Sequence, residues 1–167
     1  MSAKKTRADT PADNSEYVYD ASDIDAVTDG HVNSPVLRAW IKQGRLRSKL
    51  LPESSQGKRS LYSKQTVFEV ALISAFSRTG VPLDVATQWT LDVLQTVNKQ
   101  GKFIPFFAWS SPGTGLVPLI GDELDLMTAG AKLGTRFSVI NVFQLMTDIE
   151  TALARRTGKP VQETKKK

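Results

Sequence analysis

The sequence predicts an α+β fold, helical in its first half and mixed strand and helix in its second. Three observations predict it. Between Asp20 and Asn98, apolar residues recur at helical spacing, and the stretches are divided by glycines and by residues suited to cap a helix. After Gly101 the apolar residues come in short bulky runs broken by proline, KFIPFFAWSS and LVPLIG. Both ends are polar and offer little to bury.

The elements follow in order. Residues 1–18 read as a disordered tail. In DASDIDAVTD, Ser22 is a candidate N-cap, Ile24, Ala26 and Val27 form an apolar face, and Gly30 ends the helix. Asn33 or Ser34 caps the next helix, with Pro35 near its first position and Gly44 as its stop. Val36, Leu37, Trp40 and Ile41 share one face of it, whereas Arg38 and Lys42, four apart, share another. Leu46–Leu51 and Lys58–Tyr62 read as two short strands joined by a loop containing Pro52, Ser54, Ser55 and Gly57. Ser63 then caps a long apolar helix that Gly80 closes, and Pro82 opens another, ending at Asn98 to Gly101.

In the second half, the two proline-interrupted runs are expected as edge or terminal strands around the turn SSPGTG. The stretch 122–134 reads equally as a strand and turn or as a short helix. TRFSVINV is a strand on residue type. FQLMTDIETALARR is a closing helix with Leu145, Met146, Ile149 and Leu153 as its stripe and two arginines at its C-terminal end. The expected division is a tail over 1–18, a helical module over 19–98, a small α+β region over 99–157 for dimerisation or for a partner or ligand, and a basic tail over 158–167.

Composition narrows the function. The chain has 167 residues and no cysteine, so disulfides and thiolate metal sites are excluded and a cytoplasmic location is expected. The one histidine, His31, cannot build a zinc site alone and is expected in a surface loop. No apolar run approaches the roughly 20 residues of a membrane span. The opening residues lack the apolar stretch of a secretory signal. The usual nucleophile and base pairs are largely missing, so an enzyme is the least expected class. Asp122, Glu123 and Asp125 read as a solvated turn. Phe106, Phe107 and Trp109 read as core ahead of a ligand pocket or partner patch.

The net charge of +5 is unevenly distributed. From His31 to Lys64 stand eight Lys and Arg against the single acid Glu53, whereas the rest of the chain sums to −2. Such a concentration attracts polyanions. Two short helices, a basic hairpin and two longer helices together describe a winged helix-turn-helix. In that arrangement the second helix, 33–43, lies in the DNA major groove with Asn33, Ser34 and Arg38 toward base edges. Asn33 and Ser34 serve equally as caps. Lys42 and Arg45 lie where phosphates pass, and the hairpin 46–62, with Arg47, Lys58, Arg59 and Tyr62, lies along the phosphate backbone. Trp40 is expected in the core with an edge near a phosphate, and Tyr62 either at the backbone or in the base of the hairpin.

HVNSPVLRAWIKQGRL resembles the DNA-binding helix of MerR-type regulators. Leu37-Arg38, Trp40 and Gly44 stand at the family's spacing. Gly57, Arg59, Tyr62 and Ser63 follow the order of its wing, and Gly80-Val81-Pro82-Leu83 resembles the step between its next two helices. The resemblance covers residues 19 to 98. Ala39 stands where the family often has an aromatic residue, and no long pairing helix follows the module. What the resemblance implies is a sequence-specific transcriptional regulator that binds double-stranded DNA as a homodimer, without a cofactor. The dimer contact would come from the closing helix or from residues 103–142. Two other readings stand beside it. One is an excisionase-like architectural factor, so that the further contact is a recombinase in place of RNA polymerase. The other is a protein-interaction module whose basic face meets an acidic partner.

Overall fold

The computed structural model describes residues 17–48, 60–100, 106–111, 115–119, 126–134 and 136–157. Among them the chain is α+β, with six helices and two small antiparallel sheets. The first half contains β1 (Tyr17–Tyr19), α1 (Ala21–Val27), α2 (Ser34–Lys42), β2 (Tyr62–Ser63), α3 (Lys64–Arg78) and α4 (Leu83–Gln100). The second half contains β3 (Phe106–Trp109), β4 (Val117–Leu119), α5 (Leu126–Leu133), β5 (Ser138–Asn141) and α6 (Val142–Thr157).

Local chemistry explains the helix boundaries. Asp20, not Ser22, caps α1: its carboxylate accepts from the amides of Ser22 and Asp23 while Asp23 returns a bond to the amide of Asp20. This reciprocal capping box satisfies more of the first-turn donors than a serine two residues later would. Asn33 caps α2, accepting from Val36 N at 3.2 Å, and Pro35 occupies the first turn, where its missing N–H costs nothing. Ser63 caps α3 through Thr66 N at 3.1 Å. Gly44, at φ +65°, turns the chain out of α2 through a backbone conformation that side chains with a Cβ rarely adopt.

In the stretch that reads two ways, Leu126–Leu133 form a helix, α5, and Gly134 N donates to Gly130 O at 2.9 Å as it ends; Asp122, Glu123 and Asp125 lie outside the described residues. The three-stranded sheet has the order β4-β3-β5. β4, which contains Pro118, is an edge strand as expected. β3 is central, contrary to the expectation for its run. Pro105 precedes the strand and removes no donor from FFAW, so Phe107 pairs with Pro118 on one side and Ile140 on the other.

The expected hairpin is also revised. Residues 46–48 form no strand, and the returning strand β2 pairs with β1, matching Tyr19 with Tyr62 and Tyr17 with Ser63 across an irregularity. The backbone amides of Arg47 and Ser48 are already bound to the Glu69 carboxylate and do not enter a ladder. Residues 49–59, with Lys58 and Arg59, lie outside the described residues, as do 1–16 and 158–167.

One core crosses the expected boundary at residue 98. It joins Ile24, Leu37, Val70 and Phe76 of the first half to Phe107, Trp109, Val142, Ile149 and Leu153 of the second. Its centre is aromatic: the Phe76 ring stands edge-on to Trp89 at 5.7 Å and to Trp109 at 5.3 Å. Ala108 and Leu119 seed a smaller cluster on the sheet. Part of the α6 stripe is used here: Ile149 and Leu153 are buried, Leu145 and Met146 are half-buried, and α6 lies against α1 and β3. Among the described residues no helix is long and apolar enough to cross a membrane.

Candidate nucleic-acid interface

The two faces of α2 have opposite chemistry. Leu37 is fully buried and Trp40 is 5% exposed, with Val36 and Ile41 half-buried beside them. Arg38, Ala39 and Lys42 are exposed, and among the described residues neither base forms an ion pair. A helix with one apolar stripe must seat that stripe on the core, so the spacing of Leu37 and Trp40 fixes where Arg38 and Lys42 project. Arg38 and Lys42 are one helical turn apart and form a continuous cationic strip.

The N-terminal end of α2 holds the polar pair. Asn33 is exposed, and its side-chain oxygen is committed to the cap, which leaves the amide nitrogen as the group that can face outward. Ser34 is half-buried. His31 is exposed in the turn between α1 and α2, as expected, with its Nδ1 hydrogen-bonded to Ser74 Oγ of α3 at 2.8 Å. Thr28 adds a second fixed point: its hydroxyl accepts from Val32 N at 3.1 Å and donates to Ile24 O at 2.9 Å. The turn between the two helices is thereby held from both sides.

Two anticipated site residues belong to the core. Trp40 and Tyr62 are 5% and 6% exposed, so their rings present little surface to any ligand. Tyr62 occupies β2, buried and paired with Tyr19 of β1 in place of the expected hairpin. Arg45 is more constrained than its place in the basic run suggests. Its side chain is only 20% exposed, its guanidinium pairs with Asp84 in the first turn of α4, and its Nε donates to Gln43 at 2.6 Å. Much of its charge is therefore directed within the molecule. Arg47 is exposed, five residues beyond the end of α2, the helix that carries Arg38 and Lys42 and is capped by Asn33.

Two residues at this surface were missed by the sequence reading. Glu69 is 1% exposed and accepts from Arg47 N at 2.6 Å and Ser48 N at 2.9 Å. Ser48 Oγ reaches Thr66 Oγ1 at 3.0 Å, and Thr66 Oγ1 in turn meets the capping Ser63 Oγ at 3.0 Å. One acid within the apolar run VFEVALI was the available signal for Glu69. For Asp84 there was none, because its partner is 39 residues away.

Among the described residues no cluster of three or more His, Cys, Asp or Glu could hold a metal ion. No protein-family model matches the chain, and no curated protein matches its sequence.

Proposed function

We propose that the protein is a sequence-specific DNA-binding transcriptional regulator, a winged helix-turn-helix that acts as a homodimer. The observation that carries this reading is the two-sidedness of α2, buried along Leu37 and Trp40 and cationic along Arg38 and Lys42. α2 enters the major groove. Asn33, Ser34 and Arg38 face base edges, with the planar guanidinium of Arg38 suited to guanine. Lys42 and Arg47 meet phosphates, which position the protein without selecting a sequence. The net charge of +7 between His31 and Lys64 and the MerR-like spacing of Leu37-Arg38, Trp40 and Gly44 support the same reading. A homodimer doubles the few base contacts that one such module makes.

The test is binding of the purified protein to a random duplex of about 25 base pairs across a salt series, beside Arg38→Ala and Arg59→Ala. Steeply salt-dependent binding that both substitutions weaken is the expected result. Binding absent even at low salt would overturn the reading and leave the basic face to an acidic protein partner. Sedimentation at micromolar concentration, with and without DNA, tests the dimer. Several tandem sites with strong bending, in place of one palindromic site, would reassign the protein to the architectural, excisionase-like class.

A further inference from the structure

We infer that Glu69 is a positioning residue for the nucleic-acid surface: its buried carboxylate holds the backbone of Arg47 and Ser48 so that the Arg47 side chain stands beside α2 as a phosphate contact. This inference rests on the DNA-binding reading and extends it to a residue that touches no ligand.

Three observations carry it. First, the placement of Glu69 needs a reason. A carboxylate at 1% exposure, in the α3 stretch that supplies Val67, Val70 and Ile73 to the core, is costly unless its charge is matched. The match is two consecutive backbone amides, Arg47 N at 2.6 Å and Ser48 N at 2.9 Å, one to each oxygen. Successive N–H groups converging on one anion form a tight cradle, and bonds to an ionised acceptor are about twice as strong as neutral ones.

Second, the two amides belong to the first residues after the turn out of α2. Gly44 turns the chain, Leu46 is buried at 8% exposure, and the clamp follows at once. Ser48 Oγ extends the anchorage to Thr66, and Thr66 connects to the Ser63 cap. The point where the basic segment leaves α2 and the point where it returns are thus tied to the first turns of α3. Third, Arg47 is exposed although its backbone is fixed on the core side. An anchored backbone under an outward side chain reduces the entropy that a long cation loses on docking.

The electrostatics make the test unambiguous in sign. Glu69→Gln removes one negative charge and nearly preserves volume. If the carboxylate acted on DNA only through its charge, the variant would bind more tightly, because the net charge rises and long-range attraction with it. If Glu69 positions Arg47, the variant binds less tightly, since an amide can accept from one of the two N–H groups but turns a donor toward the other.

The experiment measures affinity of the full chain for the random duplex across a salt series for the wild type, Glu69→Gln, Arg47→Ala and the double variant, with circular dichroism confirming the fold of each. Expected is a three- to tenfold loss for Glu69→Gln at intermediate salt, on the order of what one phosphate contact contributes, with a log–log salt slope shallower by about 1. Arg47→Ala should lose a similar amount, and the double variant should lose no more than Arg47→Ala alone, because the two act through one contact. Unchanged or tighter binding by folded Glu69→Gln, an unaffected Arg47→Ala, or additive losses in the double variant overturns the inference while leaving DNA binding intact. Wild-type protein that does not bind overturns the functional reading itself and this inference with it. Should Glu69→Gln fail to fold, Ser48→Ala carries the test: it removes the bond to Thr66 and should lower affinity and slope in the same direction, and wild-type behaviour there overturns the inference.

Discussion

The helices between Ala21 and Gln100 and the sheet of β3, β4 and β5 differ in how locally they are specified. Each of the first three helices begins at a side chain that caps it within three residues: Asp20 for α1, Asn33 for α2 and Ser63 for α3. Such bonds form whatever the rest of the chain does. The sheet has no comparable local code. β3 acquires its central place only by pairing with β4 and with β5, which lies about thirty residues further on. Its buried residues face the helices, and Trp109 closes the aromatic cluster that Phe76 and Trp89 begin. The helical half therefore has its own outline but not its own complete core.

The largest test of this difference is truncation after Gln100. It removes Phe107, Trp109, Val142, Ile149 and Leu153 from the shared core, and the remaining helices are expected to lose their cooperative thermal transition by circular dichroism. A sharp melt near that of the full chain would instead show the helical half to be independent. Trp109→Ala sharpens the same point with one residue. The ring is 4% exposed and touches two aromatic partners, so urea unfolding should show a loss of about 3–5 kcal/mol.

Caps come next in size. Ser63→Ala should cost about 1 kcal/mol, and more if the buried Thr66 hydroxyl, left without Ser63 Oγ, finds no other partner than Ser48. Asn33→Gly should cost only a few tenths of a kcal/mol, since glycine is tolerated at an N-cap. If Asn33 also reads a base, that variant loses sequence preference in a site-selection assay at nearly unchanged stability. A preference identical to wild type would assign Asn33 to capping alone.

Surface charge changes should be smallest in stability. Lys64 pairs with Glu150 of α6, but Lys64 is 55% exposed, so Lys64→Ala should cost well under about 1 kcal/mol and less at high salt. Arg38→Ala should likewise stay within about 0.5 kcal/mol in urea unfolding while weakening DNA binding. A large stability loss there would mean that Arg38 holds the fold together and does not serve a ligand.

The charge segregation, the apolar stripe of α2 and the stops at Gly30, Gly44 and Gly80 could all be read from residue order. They depend on neighbours within about one helical turn, and sequence spacing reports those neighbours directly. The choice of Asp20 over Ser22 lay within the same range, in the spacing of Asp20 and Asp23, and only the reciprocal pair of bonds separates the two candidates. The candidate interface was legible in part. Arg38, Lys42 and Arg47 stand on the surface, Trp40 lies in the core where it is expected, and Tyr62 is buried in β2. For those aromatic residues the sequence offers both an apolar face and a polar edge, and burial depends on what lies opposite.

The sequence by itself determined the helical spacing of the first half, the Ser63 cap, the α+β character and the cationic strip of α2. These rest on short-range hydrogen bonds and on the period of the apolar residues. The tertiary structure alone decided the partner of β2, the central place of β3, the docking of α6 on α1, the Arg45–Asp84 pair and the burial of Glu69 beneath the amides of Arg47 and Ser48. Each of these joins residues distant in the chain. Which distant groups meet is set by how the apolar faces fill one shared core, and no local pattern records it.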